Sequence, residues 1–500
     1  MTMAVAALRR DGGVRLQVGS LMKERVKAMT QMMIICAVVL LICVTTSKLL
    51  YRFGVPVLVA FLALGMVFGS DGIGGIYFDN FELASNLSSI GLVVIMFYGG
   101  FGTSWKEAKP VAVRAVLLSS LGTVITAGLT GLFCFLVLRR PLLEGLLIGS
   151  VIASTDAASV FSILRSHKLG LKGGLASLLE VESGSNDPFA YMLTIIILYF
   201  MKGEPFNLVG MLFSQIVYGI GIGALLALAA VFVLRRGFEI EGLYPVFVIA
   251  VAILGYALSD YLGGNGFLCV YIIGLIVGNS KILHKKSLVH FFDGLSWLMQ
   301  IMLFFVLGLL SFPSQMPKVI LPGVLVALFI LFVARPAATF GILSWFKVPI
   351  KQQVFVSWVG LRGAASIVFA IYAVTEQVHL GIDIFHMVFF VALFSVLAQG
   401  SLTPLFAKKL DLVEEPAAVL KTFTDYTEET PTRLLEYPIP ESSALAGKAI
   451  MDADIPEEIL IVMVKRHGDV VLPKGSTVLQ KGDVLVLSGN NLDAFAEPPV

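Results

Sequence analysis

The sequence predicts an all-α polytopic membrane protein of about thirteen transmembrane helices, with inverted repeats and interrupted helices, and a small α+β domain at its cytoplasmic C-terminal end. Three observations lead there. Of 500 residues, 57% are hydrophobic and 14% charged, against about 25% charged in soluble domains. Apolar runs long enough to span a bilayer recur between residues 31 and 410, and beyond them the composition turns polar and then to short alternating strands. A net charge of +2, dispersed along the chain, gives no footing for nucleic acid.

The elements follow in order. Residues 1–30 form a polar, basic N-terminal tail, and the run that follows lacks an A-x-A cleavage site, so it reads as an uncleaved first helix. Apolar segments then lie at 31–50, 54–70, 87–103, 111–138, 142–165, 174–201, 207–234, 243–262, 264–279, 288–312, 317–345, 352–374 and 381–407. The loops after alternate segments, beginning with the first, carry 14 Lys/Arg; the intervening loops carry only Arg139, Arg140, Lys202 and Lys318. Excess positive charge marks the cytoplasmic side, which places the C-terminus there in a multi-pass protein of the cell membrane. The basic tail then falls outside, against the rule, and a translation start at Met22 or Met29 would account for it. Cys36, Cys43, Cys134 and Cys269 all sit in apolar runs without ligand spacing and read as reduced packing residues. Residues 411–434 are an acidic linker. Residues 435–495 read as the α+β unit: an extended piece near Tyr437–Ile439, a helix over 444–451, and strands at 459–464 and 484–487. So small a core favours dimerisation.

The chemistry concentrates between Ile148 and Thr194. Asp156, Glu180, Glu182 and Asp187 lie there in apolar surroundings, where a central charge costs roughly 2.5–3.5 kcal/mol. Counting from opposite membrane faces puts Asp156 and Asp187 each about 20 Å deep, near the midplane. Pro188 cannot donate to the carbonyl of Gly184, which leaves an oxygen beside Asn186 and Asp187. Ser, Thr, Asn and Asp oxygens suit a hard monovalent cation, and no thiolate or imidazole site is present in the pattern. Arg335 and Arg362 occupy comparable apolar segments, so one or both should face Glu182 or another acid. The segments holding Asp156 and Arg362 are seven apart and both glycine-interrupted, as inverted repeats would produce. Glu180 reads equally as a snorkelling interfacial acid, and Asp260 and Asp293 read as caps or interfacial groups. The G-I-G-I-G run at 219–223 reads as close helix packing, and no histidine is placed for a proton relay.

Four motifs, S-T-D-A-A-S-V at 154–160, E-S-G-S-N-D-P at 182–188, D-G-L-S-W-L at 293–298 and G-L-R-G-A at 360–364, together resemble the NhaP-type branch of the cation/proton antiporters over residues 31–410. The resemblance implies a homodimer that exchanges Na⁺ or K⁺ for H⁺ by elevator-like alternation. It implies that Asp187 binds cation or proton, helped by Thr155, Asp156 and Ser183. It further implies that Asn186 holds crossed half-helices and that Glu182 pairs with Arg335 or Arg362. Asn186, where electrogenic relatives carry a second acid, implies electroneutral exchange. Ala157 departs from the proline that many relatives carry after the T-D pair. Residues 435–495 resemble the TrkA-C (RCK C-terminal) module of potassium transport systems, which tilts the cation towards K⁺ and allows a regulatory nucleotide such as cyclic di-AMP. No bound cofactor is expected, and no NAD site, because the companion G-x-G-x-x-G half is missing from the pattern. The expected function is electroneutral, secondary active K⁺/H⁺ antiport, not enzymatic, with Na⁺/H⁺ antiport as the alternative. A gated cation channel is the next rival, but no T-V-G-Y-G filter occurs; a membrane sensor is the last.

Overall fold

In the computed structural model, residues 30, 33–35, 37–46, 57–414 and 433–489 are described, apart from positions 168, 204, 239, 241, 379, 440–444, 454, 457, 458, 467 and 468. The predicted tail except Thr30, its alternative start sites and Cys36 lie outside them. The chain divides into two compact units, Met1–Thr424 and Asp425–Val500.

In the first unit, helical residues between 33 and 46 are followed by α1 (Val57–Phe68), α2 (Phe81–Gly102), α3 (Ala112–Leu136), α4 (Leu142–Ile152) and α5 (Ala157–Ser166). Then come α6 (Leu175–Lys202), α7 (Leu208–Arg236), α8 (Leu243–Tyr261), α9 (Gly266–Asn279) and α10 (Lys285–Leu310). The last are α11 (Pro313–Leu343), α12 (Ile350–Trp358), α13 (Ala364–Thr375) and α14 (Ile384–Lys409). Each of α1–α14 overlaps a predicted apolar segment, while one further helical turn, Trp105–Ala108, lies between two of them. Among the described residues, eight spans are long and apolar enough to cross a membrane, with α4 and α5 counted together. That is what length and apolarity support, against the thirteen expected: α1, α9 and α13 are shorter, and α6 is diluted by its polar E-S-G-S-N-D-P stretch.

The G-I-G-I-G run does pack helix on helix. A Cβ on Gly219 or Gly223 would come within 3.0 or 2.7 Å of the carbonyls of Asn265, which caps α9, and Cys269 on α9, whereas Gly221 faces open space. The two interruptions separate α4 from α5 at residues 153–156 and α12 from α13 at 359–363. Ser, Thr and Asp at the first compete with the backbone for helical hydrogen bonds, and glycines at the second hold the helix weakly. Pro188, by contrast, leaves α6 continuous, and its carbonyl accepts a 2.8 Å bond from Asn265 Nδ2.

At the lysine-rich, cytoplasmic side, β1 (Gly170–Leu171) pairs antiparallel with β2 (Val413–Glu414). Lys172 N–H donates to Leu412 O at 2.9 Å, and Lys172 Nζ lies 3.2 Å from Asp411. The head of the predicted linker is thus folded against the α5–α6 loop.

The second unit is a four-stranded antiparallel sheet in the order β3 (Arg433–Pro438), β6 (Val484–Gly489), β4 (Ile459–Arg466), β5 (Asp469–Val471). Ile439, Ile461, Val464, Leu479, Leu485 and Leu487 fill its core. The helix expected over 444–451 is replaced, in the described residues, by turns and one 3₁₀ turn at Ile450–Asp452. Its backbone is taken up elsewhere: Gly447 N–H donates to Leu479 O, Leu479 N–H donates to Lys448 O, and Ala449 bridges Val478. Cross-pairing of this segment with residues 475–479 satisfies its backbone groups without a helix.

Candidate functional site

The two interruptions cross, and the crossing organises charge. Asp156 N–H donates to Leu361 O at 2.8 Å, joining one broken backbone to the other. Asp156 then caps α5: its Oδ1 accepts from Ser159 N–H at 3.1 Å and its Oδ2 from Ser159 Oγ at 2.5 Å. Gly363, the residue just before α13, lies so close that a Cβ there would sit 2.5 Å from Asp156 Oδ2. One carboxylate therefore faces the positive N-terminal ends of two half-helices. Arg362 supplies the complement. Its Nη1 donates to the carbonyls of Ala153 and Ser154, each at 2.8 Å, at the negative C-terminal end of α4. With the side chain 2% exposed, this cation is held by peptide dipoles.

The remaining arginine pairs with the buried acid. Arg335 Nη2 lies 2.5 Å from Glu182 Oε1, both side chains being buried, which resolves the two partners that the sequence left open for Glu182. Asn186, 1% exposed, donates from Nδ2 to Thr155 Oγ1. Ser183 Oγ donates to Thr155 O at 2.7 Å and accepts from Ala157 N–H at 2.8 Å. Two residues of α6 thus hold both oxygens of Thr155.

Asp187 stands about 18 Å along α6 from Leu175. Its Oδ1 accepts from Ser154 Oγ. It lines a cavity of about 420 Å³ together with Ser154, Thr155, Asp156, Ala157 and Ser183. The cavity also reaches Gly102 at the end of α2, Glu180 near the start of α6, and Asp293 and Trp297 in the first half of α10. Loop charge assigns all of these helix ends to the cytoplasmic side. Four carboxylates and no Lys or Arg line this space, among the described residues. One turn beyond Asp187, away from the cavity, Tyr191 packs against Phe267, Phe369 and Tyr372 with ring centroids 5.0, 5.7 and 5.6 Å apart. The acid has on one side a cavity that carries three further carboxylates and on the other an aromatic plug.

Of the residues expected at the site, Asp187, Asp156, Thr155 and Ser183 line one cavity, Asn186 braces it, and Glu182, Arg335 and Arg362 stand outside it. Ser154 was missed because a serine in an apolar helix reads as a small packing residue. Asp293 reads from sequence as interfacial, yet it lies on the cavity wall, where Tyr98 Oη donates to it at 2.9 Å. A helical stripe with Ser296 and Gln300 at three- and seven-residue spacing, both also on that wall, was the available signal.

Comparison with known proteins adds the following. Residues 37–409 match the family described as sodium/hydrogen exchanger, transmembrane, and residues 434–496 match the TrkA-C domain. The chain is 33% identical over 464 residues to the K⁺/H⁺ antiporter NhaP2 of Shewanella sp. strain ANA-3, covering 91% of this chain and 80% of that protein. It is 34% identical over 472 residues to the K⁺/H⁺ antiporter NhaP of Alkalimonas amylolytica, covering 92% and 82%. The structure of the sodium proton antiporter MjNhaP1 of Methanocaldococcus jannaschii at pH 8 superposes with a TM-score of 0.67 at 25% identity, covering 75% of this chain and 97% of that one.

Proposed function

The chain belongs to the sodium/hydrogen exchanger family and is a cation/proton antiporter, and from that premise we propose that it performs electroneutral K⁺/H⁺ exchange at Asp187. The observation that carries the reading is the placement of Asp187 on the wall of a cavity whose charged lining residues, among those described, are all acidic, with Ser154 as its hydrogen-bond donor. A carboxylate there accepts one proton or one cation, since either neutralises it and the second would leave a buried positive charge. Ser154 and Asp156 supply further oxygens for a partly dehydrated cation. The opening on the cytoplasmic side and the aromatic plug on the other make this an inward-facing arrangement, and alternation would expose the same acid outside. K⁺ is preferred over Na⁺ because the relatives with whole-length similarity are named K⁺/H⁺ antiporters. Na⁺/H⁺ exchange is the second reading, supported by the solved sodium proton antiporter of similar fold.

The cytoplasmic TrkA-C domain is read as the regulator. Pairing of β1 with β2 supports this, because the chain leading to that domain is tied to the loop joining the helices that carry Asp156 and Asp187. A homodimer, and a nucleotide such as cyclic di-AMP at the C-terminal unit, rest on the resemblance alone. The test is purified protein in liposomes carrying a pH-sensitive dye, with the membrane potential clamped at zero. Added K⁺ should alkalinise the lumen in wild type and not in Asp187→Ala; exchange retained by Asp187→Ala would refute the assignment.

A further inference from the structure

Ala157 contributes to the site through its backbone alone. It is the first residue of α5 and its side chain ends at Cβ, yet it lies on the cavity wall beside Ser183, Asp187 and Ser154. Its N–H donates to Ser183 Oγ at 2.8 Å, and the Ser183 hydroxyl proton is in turn directed to Thr155 O at 2.7 Å. Asn186 occupies Thr155 Oγ1 in the same way. A hydroxyl carries one proton and two lone pairs. Here the proton is used and one lone pair faces an amide, whose positive end also opposes any cation brought next to that oxygen. The Thr155 carbonyl is occupied by the same serine. Two oxygens of cavity-lining residues are therefore weakened as cation ligands, Ser183 Oγ by the Ala157 N–H and Thr155 O by the hydroxyl that this N–H orients.

We propose that the Ala157 N–H is a specificity-determining group of the transport site, locking Ser183 onto Thr155 and so favouring K⁺ over Na⁺. The inference rests on the exchange reading above and deepens it. Na⁺ is the smaller ion and holds its water more tightly, so it needs more strongly donating oxygen ligands to replace that shell. A site in which Ser183 Oγ and Thr155 O are committed to each other leaves the Asp187 carboxylate and Ser154 Oγ as the freer oxygens. K⁺, which gives up its water more readily, tolerates the weakened oxygens. Removing the N–H frees a Ser183 lone pair and lets the hydroxyl turn from Thr155, which benefits Na⁺ more than K⁺.

The position permits a narrow test. Proline is well accepted at the first residue of a helix, where its missing N–H would have no intrahelical acceptor. Ala157→Pro therefore deletes this one donor while keeping the helix start. KM for Na⁺ and for K⁺ would be measured in liposomes with full-length protein, from dye alkalinisation at zero potential. The KM ratio Na⁺/K⁺ should fall about three- to tenfold in Ala157→Pro, the range that the loss or gain of one hydrogen bond covers, while Ala157→Gly, which keeps the N–H, keeps the wild-type ratio. Ser183→Ala should lower the ratio too, because Thr155 O is released, and in that background Ala157→Pro should add nothing. A wild-type ratio in Ala157→Pro overturns the proposal, as does a shift that persists unchanged in Ser183→Ala. If Ala157→Pro does not fold, an unshifted ratio in Ser183→Ala alone overturns it. Wild-type protein that moves no protons with either ion sinks the exchange reading itself, and wild-type protein that exchanges but prefers Na⁺ removes the lock as the reason for a K⁺ preference.

Discussion

Gly363→Ala places a methyl group where the two broken helices meet. The added Cβ would lie 2.5 Å from both Cβ and Oδ2 of Asp156, about 1 Å inside the 3.4–4 Å of ordinary contact. Asp156 cannot simply retreat. Its N–H is bound to Leu361 O, two residues before Gly363, and its carboxylate caps α5 through Ser159. The overlap must move one half-helix against the other by something near that 1 Å, and a displacement of this size at a reacting group costs about 10²-fold in rate. Exchange in liposomes should therefore fall about a hundredfold while yield and gel-filtration profile stay normal. Gly341→Ala is the control: nothing lies within 4 Å of its added Cβ, and its rate should match wild type. Gly363→Ala protein retaining more than half of wild-type exchange would show that the close approach at the crossing does not matter.

Two other perturbations have defined outcomes. Removing one partner of the buried Glu182–Arg335 pair, as in Glu182→Leu, should cost about 3–5 kcal/mol of stability, seen as a lower unfolding temperature in detergent. The double variant Glu182→Leu/Arg335→Met should recover most of that loss, and equal instability of single and double variants would mean the two charges are not coupled. Asp293→Asn removes one of four carboxylates from a cavity with no basic lining residue among those described. It should raise KM for the cytoplasmic cation about three- to tenfold with kcat retained, the effect shrinking at high ionic strength as expected of field-assisted binding; an unchanged KM would return Asp293 to a structural role with Tyr98.

Much of this arrangement is legible in the amino-acid sequence. The apolar segments mark the helices because each must supply its own backbone hydrogen bonds in lipid. The breaks show because S-T-D and G-L-R-G are poor helix formers where the hydropathy stays high, and the acids stand out because burial of charge is costly. What stays hidden depends on geometry across elements. Arg335 and Arg362 have the same local appearance, yet one meets Glu182 and the other caps α4, a difference set by where α11 and α12 pack. Ser154 carries no signal until Asp187 is placed beside it. The β1–β2 pairing uses two residues from each partner, too few for any periodicity. Over 444–451 the helical pattern is real but loses to pairing with residues 477–479.

The central claim is that cation and proton compete for Asp187. Its most direct test is proton release: K⁺ is added to purified protein in weakly buffered detergent solution, replacing a bulky organic cation at constant ionic strength, and the pH change is converted to protons per chain. At a pH where the site is protonated, the account predicts a release approaching one proton for each K⁺ bound, and none from Asp187→Asn. K⁺ binding without proton release, or release that persists in Asp187→Asn, would contradict it.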